Sequence, residues 1–176
     1  SELSVVLEQR IALAADRPED KKERVELSLR LAKLADTELA DIERAVSSST
    51  KAIIVNSPNN PSGVMYSAEF MADIVAFCEK KSLWLVMDDL YNRLVFDGRK
   101  APNPFDFAKV TGEASKLVVV QGVSKMYAMT GFRIGLAAGP EWLVGAMGKL
   151  QSHSMGSPST TSHAAAVAAL EGPQDF

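Results

Sequence analysis

The sequence has almost no cysteine. Cys78 is the single one in 176 residues, so no internal disulfide can staple the chain. A lone thiol in a helical stretch reads as a buried bystander, and it points to a reducing compartment, the cytoplasm, rather than a secreted setting. An excess of basic charge is also missing. Lys and Arg number 19 against 22 Asp and Glu, for a net charge of −3 and a pI near 5.4. A nucleic-acid partner would need a basic face, so none is expected. Apolar runs stay well short of the roughly 18–20 residues that cross a bilayer, so no membrane partner is expected either. The opening SELSVVLEQR lacks the basic start and apolar core of a signal peptide. Internal repeats and low-complexity tracts are absent.

What is present is enough apolar matter for a core, at 47% hydrophobic residues in a length that suits about one domain. Residues 3–15 read as a helix and 16–24 as a charged, proline-containing loop. Residues 25–31 (VELSLRL) alternate as a half-buried strand does, and Asp36 or Thr37 caps a short amphipathic helix. KAIIVN (51–56) is a β-branched run expected to be buried on both faces, and the turn cluster SPNNPSG (57–63) follows it. Ser67 caps a helix running to about Lys81. LWLVM (83–87) and KLVVVQG (116–122) read as further buried strands, and FRIGLAAG (132–139) as a fourth. Pro140 starts a helix over EWLVGAMGKLQ that SHSMGSPS breaks, and TSHAAAVAAL forms another. Apolar strands alternating with helices predict an α/β fold with a mainly parallel sheet.

In such sheets ligands bind beyond the carboxyl ends of the strands. Polar residues cluster at three of those ends: Asn60 after the first buried strand, Asp88 after the second, Lys125 after the third. Lys125 leaves a buried strand among small and apolar residues, where desolvation favours a neutral amine able to form a Schiff base. Asp88 could balance a buried cation such as a pyridinium, or simply cap a turn. Asp89 competes with it, and because successive strand side chains alternate in direction, only one of the two faces a given site. Tyr91 brings a phenol to the same end, and Asn60 an amide. The Asn60–Pro61 bond is a candidate cis peptide. Arg133, eight residues after Lys125, falls in the expected fourth strand, where a guanidinium needs a carboxylate or a phosphate as partner. Together these groups describe a pyridoxal phosphate site. No metal ligands are singled out.

Four stretches, KAIIVNSPNNPSG, LVMDDLYNRLVFDG, SKMYAMTGFRIGLAAGP and LQSHSMGSPSTTSHAAAVAALEGPQDF, occur in the order and spacing of one family. Over about residues 36–176 the chain resembles the class I/II aminotransferases of fold type I, most of all the bacterial-type aspartate aminotransferase branch. The resemblance implies amino transfer between an amino acid and a 2-oxo acid by a ping-pong Schiff-base route with pyridoxal 5′-phosphate. It implies that Lys125 carries the cofactor and moves the substrate proton, and that Asp88 rather than Asp89 pairs with the pyridine nitrogen. Tyr91 and Asn60 would hold the ring oxygen, and Arg133 the phosphate. Other pyridoxal phosphate chemistry on this scaffold, lyase or decarboxylase, uses the same groups, and a catalytically incomplete piece is the remaining alternative.

The sequence also departs from the family pattern. Asp89 replaces the usual glutamate and Phe132 the usual tryptophan. Gly122 stands where some relatives carry a phosphate-binding serine, and Ser157 where many carry asparagine. Residues 1–24 match poorly. Residues 25–176 would form part of the large, cofactor-binding domain, without the small domain, the ring-stacking aromatic or the arginine that grips a substrate carboxylate. The family forms homodimers, so a homodimer is expected.

Overall fold

The computed structural model describes residues 41–96 and 98–175. The expected helix 3–15, the loop 16–24, the strand 25–31 and the start of the helix after Asp36 lie outside these residues, and residues 41–45 are helical. Four strands follow, β1 (Ala52–Asn56), β2 (Trp84–Asp88), β3 (Leu117–Gly122) and β4 (Gly135–Ala138), and they form one sheet in the order β1-β2-β3-β4. β1 runs parallel to β2, from Ala52 opposite Trp84 to Asn56 opposite Asp88. β2 runs parallel to β3, with Leu85 opposite Leu117 and Asp88 opposite Val120. β4 returns antiparallel, with Gly122 opposite Gly135. The α/β class and mainly parallel sheet are as the sequence predicts.

Helix α1 (Ala68–Lys81) makes the β1–β2 crossover. The Ser67 hydroxyl accepts from the Phe70 amide at 3.2 Å, satisfying one of the donors that a helix start leaves open. Glu69 in the first turn and Lys80 and Lys81 in the last suit the helix dipole. The helix stops at Ser82, whose backbone turns left-handed at φ 55°. One stripe of α1, including Phe70, Met71, Ile74, Val75 and Cys78, packs on Val55, Leu85, Met87 and Val119 of the sheet. Burying a side chain such as Ile74 or Met71 stabilises the fold by about 1.5–3 kcal/mol each.

Burial corrects the expectation for the first strand. β1 is not covered on both faces. Val55 faces α1, but Ile54 on the other face is 73% exposed, because no element among the described residues lies over that face. The fourth strand is also shorter than FRIGLAAG, and Phe132 to Ile134 precede it as a turn. Beyond β4, α3 (Glu141–Ser154) runs past the expected break, through Ser152, His153 and Ser154. Serine hydroxyls there bond back to carbonyls of the preceding turn, Ser154 to Leu150 at 2.7 Å, so these residues do not disrupt the helix. A short helix, α2 (Val123–Met126), follows β3. Helix α4 (Thr160–Glu171) sets Ala166 against Val123 and Ile134, the residues flanking the β3–β4 connection.

Candidate functional site

The sequence-predicted residues lie at or just beyond the carboxyl ends of β1, β2 and β3. After β1 the chain turns sharply, with Ser57–Pro58 and Asn60–Pro61 both cis. Within the loop the Asn59 amide donates to Val64 O at 2.8 Å, and Asn59 Oδ1 accepts from the Ser62 hydroxyl at 2.6 Å. The loop presents Asn60, whose Nδ2 donates to Tyr91 Oη at 3.1 Å. That bond joins the end of β1 to the turn after β2.

The two acids at the end of β2 have different surroundings. Asp89 is buried, and its Oδ2 accepts from Asn92 Nδ2 at 2.8 Å and Gln121 Nε2 at 2.7 Å. Burial pushes its carboxyl above the ordinary value, the two amides pull it back, and the neighbouring Asp88 adds repulsion. Asp88 is half-buried, and its Oδ1 is shielded from solvent with no hydrogen-bond partner. A buried acceptor left open is costly unless something fills it. Asp89 therefore has its partners within the fold, and Asp88 has an oxygen available for a ligand's donor.

Lys125 lies in α2, immediately after β3, and is half-buried. Its Nζ sits 5.8 Å from the centre of the Tyr91 ring. Arg133 departs from expectation. It is outside β4, in a left-handed conformation at φ 57° that ends the turn Thr130–Phe132. The reason is local. The antiparallel ladder begins only at Gly122 opposite Gly135, so the residues between must reverse the chain. Arg133 is exposed, and its Nη1 donates to Thr130 O at 3.1 Å, so it is not a cation buried in an apolar strand. Ala128 in the same connection also has positive φ, 52°. Two non-glycine residues in this costly region, within one β3–β4 connection, mark a segment held in place by its surroundings.

Gly122 is crowded. A Cβ there would lie 3.0 Å from Ile134 O and 3.1 Å from a Leu90 methyl, so a side chain would displace the entry to β4. Two residues of the site escaped the sequence reading. Asn56, the last residue of β1, donates through Nδ2 to Asp88 O at 2.9 Å and accepts through Oδ1 from the Asn60 amide at 3.0 Å. Gln121 binds Asp89 as described. The signal for both was a polar residue closing an otherwise apolar strand. A separate cleft of about 780 Å³ lies at the opposite, amino-terminal end of the strands, beside Lys51, Lys81 and Lys116, and contains none of these residues. Among the described residues no helix is long and apolar enough to cross a membrane.

Residues 27–176 match the family model of aminotransferase class I and II. An aspartate aminotransferase of Rhizobium meliloti (strain 1021) is 43% identical over 136 residues, 77% of this chain and 33% of that protein. An aspartate/prephenate aminotransferase of Cereibacter sphaeroides is 41% identical over 139 residues, 77% of this chain and 34% of that one. Among solved structures, the Rhizobium meliloti aspartate aminotransferase superposes with a TM-score of 0.70 at 40% identity, over 77% of this chain and 34% of that chain. An aspartate aminotransferase from Thermus thermophilus with maleate gives 0.68 at 35% identity, over 74% and 32%. The chain spans about a third of the length of the curated relatives it matches.

Proposed function

The chain belongs to the class I and II aminotransferases, and from that premise we propose that it carries the pyridoxal phosphate site of an enzyme that moves an amino group between an amino acid and a 2-oxo acid. The reading extends to residues 25–176 as part of the large domain, to a homodimer and to a cytoplasmic location. Support for a homodimer is the apolar surface of α3 and the residue after it, where Trp142, Leu150 and Met155 are more than half exposed.

Pyridoxal phosphate, when bound, supplies an aldehyde for an amine and a protonated ring that withdraws electrons from the substrate α-carbon. The residues fit that group. Asp88 Oδ1, buried and without a partner, would accept a hydrogen bond from the protonated ring nitrogen and favour its charged form. Asn60 donates to the Tyr91 oxygen, which leaves the phenol's own hydrogen to be given to the ring oxygen. Lys125, whose Nζ lies on the Tyr91 side of the site, would provide the amine that anchors the aldehyde and would serve as the base for the substrate α-proton. Arg133, exposed at the β3–β4 turn, binds the phosphate through its fork of donors.

The observation that carries the reading is the open Asp88 oxygen at the strand ends that also bear Asn60–Tyr91 and Lys125. The relatives' names point to aspartate as the amino donor, and the maleate held by one of them is likewise a dicarboxylate. Mixing the cofactor-loaded protein with aspartate alone tests this. One equivalent of 2-oxo acid per cofactor, formed before any acceptor is added, and then one equivalent of a second 2-oxo acid converted to its own amino acid, is the ping-pong result. Release of carbon dioxide or ammonia instead would move the assignment to decarboxylase or lyase chemistry.

A further inference from the structure

The Asp89 carboxylate is buried one residue from Asp88 and, unlike the open Asp88 oxygen, has its partners within the fold. Its single Oδ2 receives two side-chain amides from different parts of the chain. Gln121 Nε2 reaches it from the end of β3 at 2.7 Å, and Asn92 Nδ2 from the turn after β2 at 2.8 Å. Its backbone amide also donates to Val120 O at 2.9 Å. The Asn92 orientation is informative. Its Oδ1 is buried without a partner, so the amide gives up an acceptor's bond in order to point its donor at Asp89. Hydrogen bonds to a charged acceptor are the stronger ones, which accounts for that choice. The three side chains therefore join the strand end that bears Asp88, the turn that bears Tyr91, and the strand that leads four residues later to Lys125.

We propose that Asp89 is a positioning residue for the cofactor site. Through Gln121 and Asn92 it fixes the spacing between the acid at the end of β2, the phenol in the turn and the amine after β3. This rests on the roles given above to Asp88, Tyr91 and Lys125. Asp89 itself touches neither cofactor nor substrate. Breaking the clasp lets the turn at residues 90–93 and the end of β3 move independently, so bound cofactor changes its angle to Asp88 before the fold is lost.

The test compares the protein with its Asp89→Ala, Asp89→Asn and Gln121→Ala variants. Pyridoxal phosphate affinity and the circular dichroism of the bound cofactor, per mole bound, are read together. Asp89→Ala and Gln121→Ala are expected to weaken binding about tenfold, the scale of one or two lost hydrogen bonds, and to alter the signal of the cofactor that remains. Asp89→Asn keeps an oxygen that can accept both amides, so it restores affinity to within about threefold and restores the signal. Amide hydrogen exchange without cofactor gives an independent reading. Exchange should quicken at residues 89–94 and 120–122 in Asp89→Ala while α1 stays as slow as before. Unchanged exchange there, exchange that quickens equally throughout, or parental affinity and signal in Asp89→Ala or Gln121→Ala would overturn the clasp. If the parent protein takes up no cofactor, the functional reading fails, and the exchange comparison alone then decides the clasp.

Discussion

Asn56 stands opposite Asp88 across the β1–β2 pairing, and its side-chain amide donates to the Asp88 carbonyl at 2.9 Å. The same side chain accepts from Asn59 Nδ2 at 2.9 Å and from the Asn60 amide at 3.0 Å. One residue thus fastens the loop that presents Asn60 to the strand end that presents Asp88. Asn56→Ala removes these bonds together and leaves part-buried groups unpaired. A loss of about 1–3 kcal/mol is expected, read as a lower urea midpoint at unchanged slope. A variant as stable as the parent would mean that the loop is held by its prolines and the Asn59 bonds alone.

Tyr91→Phe keeps the ring beside Lys125 and removes only the hydroxyl that meets Asn60 at 3.1 Å. Stability should change by less than about 1 kcal/mol, because the bond lies at an exposed position. Cofactor dissociation should quicken by about three- to tenfold, the worth of one hydrogen bond to the ring oxygen. Stopped-flow transfer of the cofactor to an excess of acceptor protein measures this rate.

Much of this arrangement was legible in the sequence because it depends on short-range patterns. Short buried apolar runs predict the β2 and β3 strands, Ser67 the start of α1, and the dense turn formers the Asn60 loop. What was not legible depended on neighbours distant in sequence. Ile54 belongs to an apolar run, and only the packing shows that nothing among the described residues covers its face. The apolar residues flanking Arg133 predict a strand there. The pairing of Gly122 with Gly135 excludes it, and pairing register is invisible in a single segment. Asn56 and Gln121 show no role in the sequence, since their Asp88 and Asp89 partners lie 32 residues away in the chain.

The Asp89 carboxyl, raised by burial, has a definite pH signature. The folded chain holds this proton after the unfolded chain has released it, near the ordinary value of about 3.9. Between that value and the raised one the folded state binds more protons, so this group's contribution falls as pH rises. It is complete below the unfolded value and lost once pH passes the folded one. Urea midpoints of the parent and Asp89→Asn, measured side by side from acid to neutral pH, should therefore diverge, with the parent losing ground as pH rises. Parallel curves would contradict the raised value.

Cys78, on the buried stripe of α1, is 2% exposed, and burial pushes its thiol up to about 11. Thiolate is the reactive form. Alkylation at neutral pH should therefore be slower than for a free thiol by at least about a hundredfold, and should rise to the free-thiol rate in denaturant. Mass-resolved labelling with iodoacetamide reads it, and fast labelling of the folded chain would show that the α1 core opens.

The central claim is that the strand ends at Asn60, Asp88 and Lys125 form a pyridoxal phosphate site with Lys125 as its anchor. Its most direct test is to load the protein with pyridoxal phosphate, reduce with borohydride and map the adduct by mass spectrometry. A single pyridoxyl group on Lys125, absent in Lys125→Ala and depleted in Asp88→Ala, is the predicted result. Adducts spread over surface lysines such as Lys51, Lys81 and Lys116, with Lys125 unmodified, would contradict it.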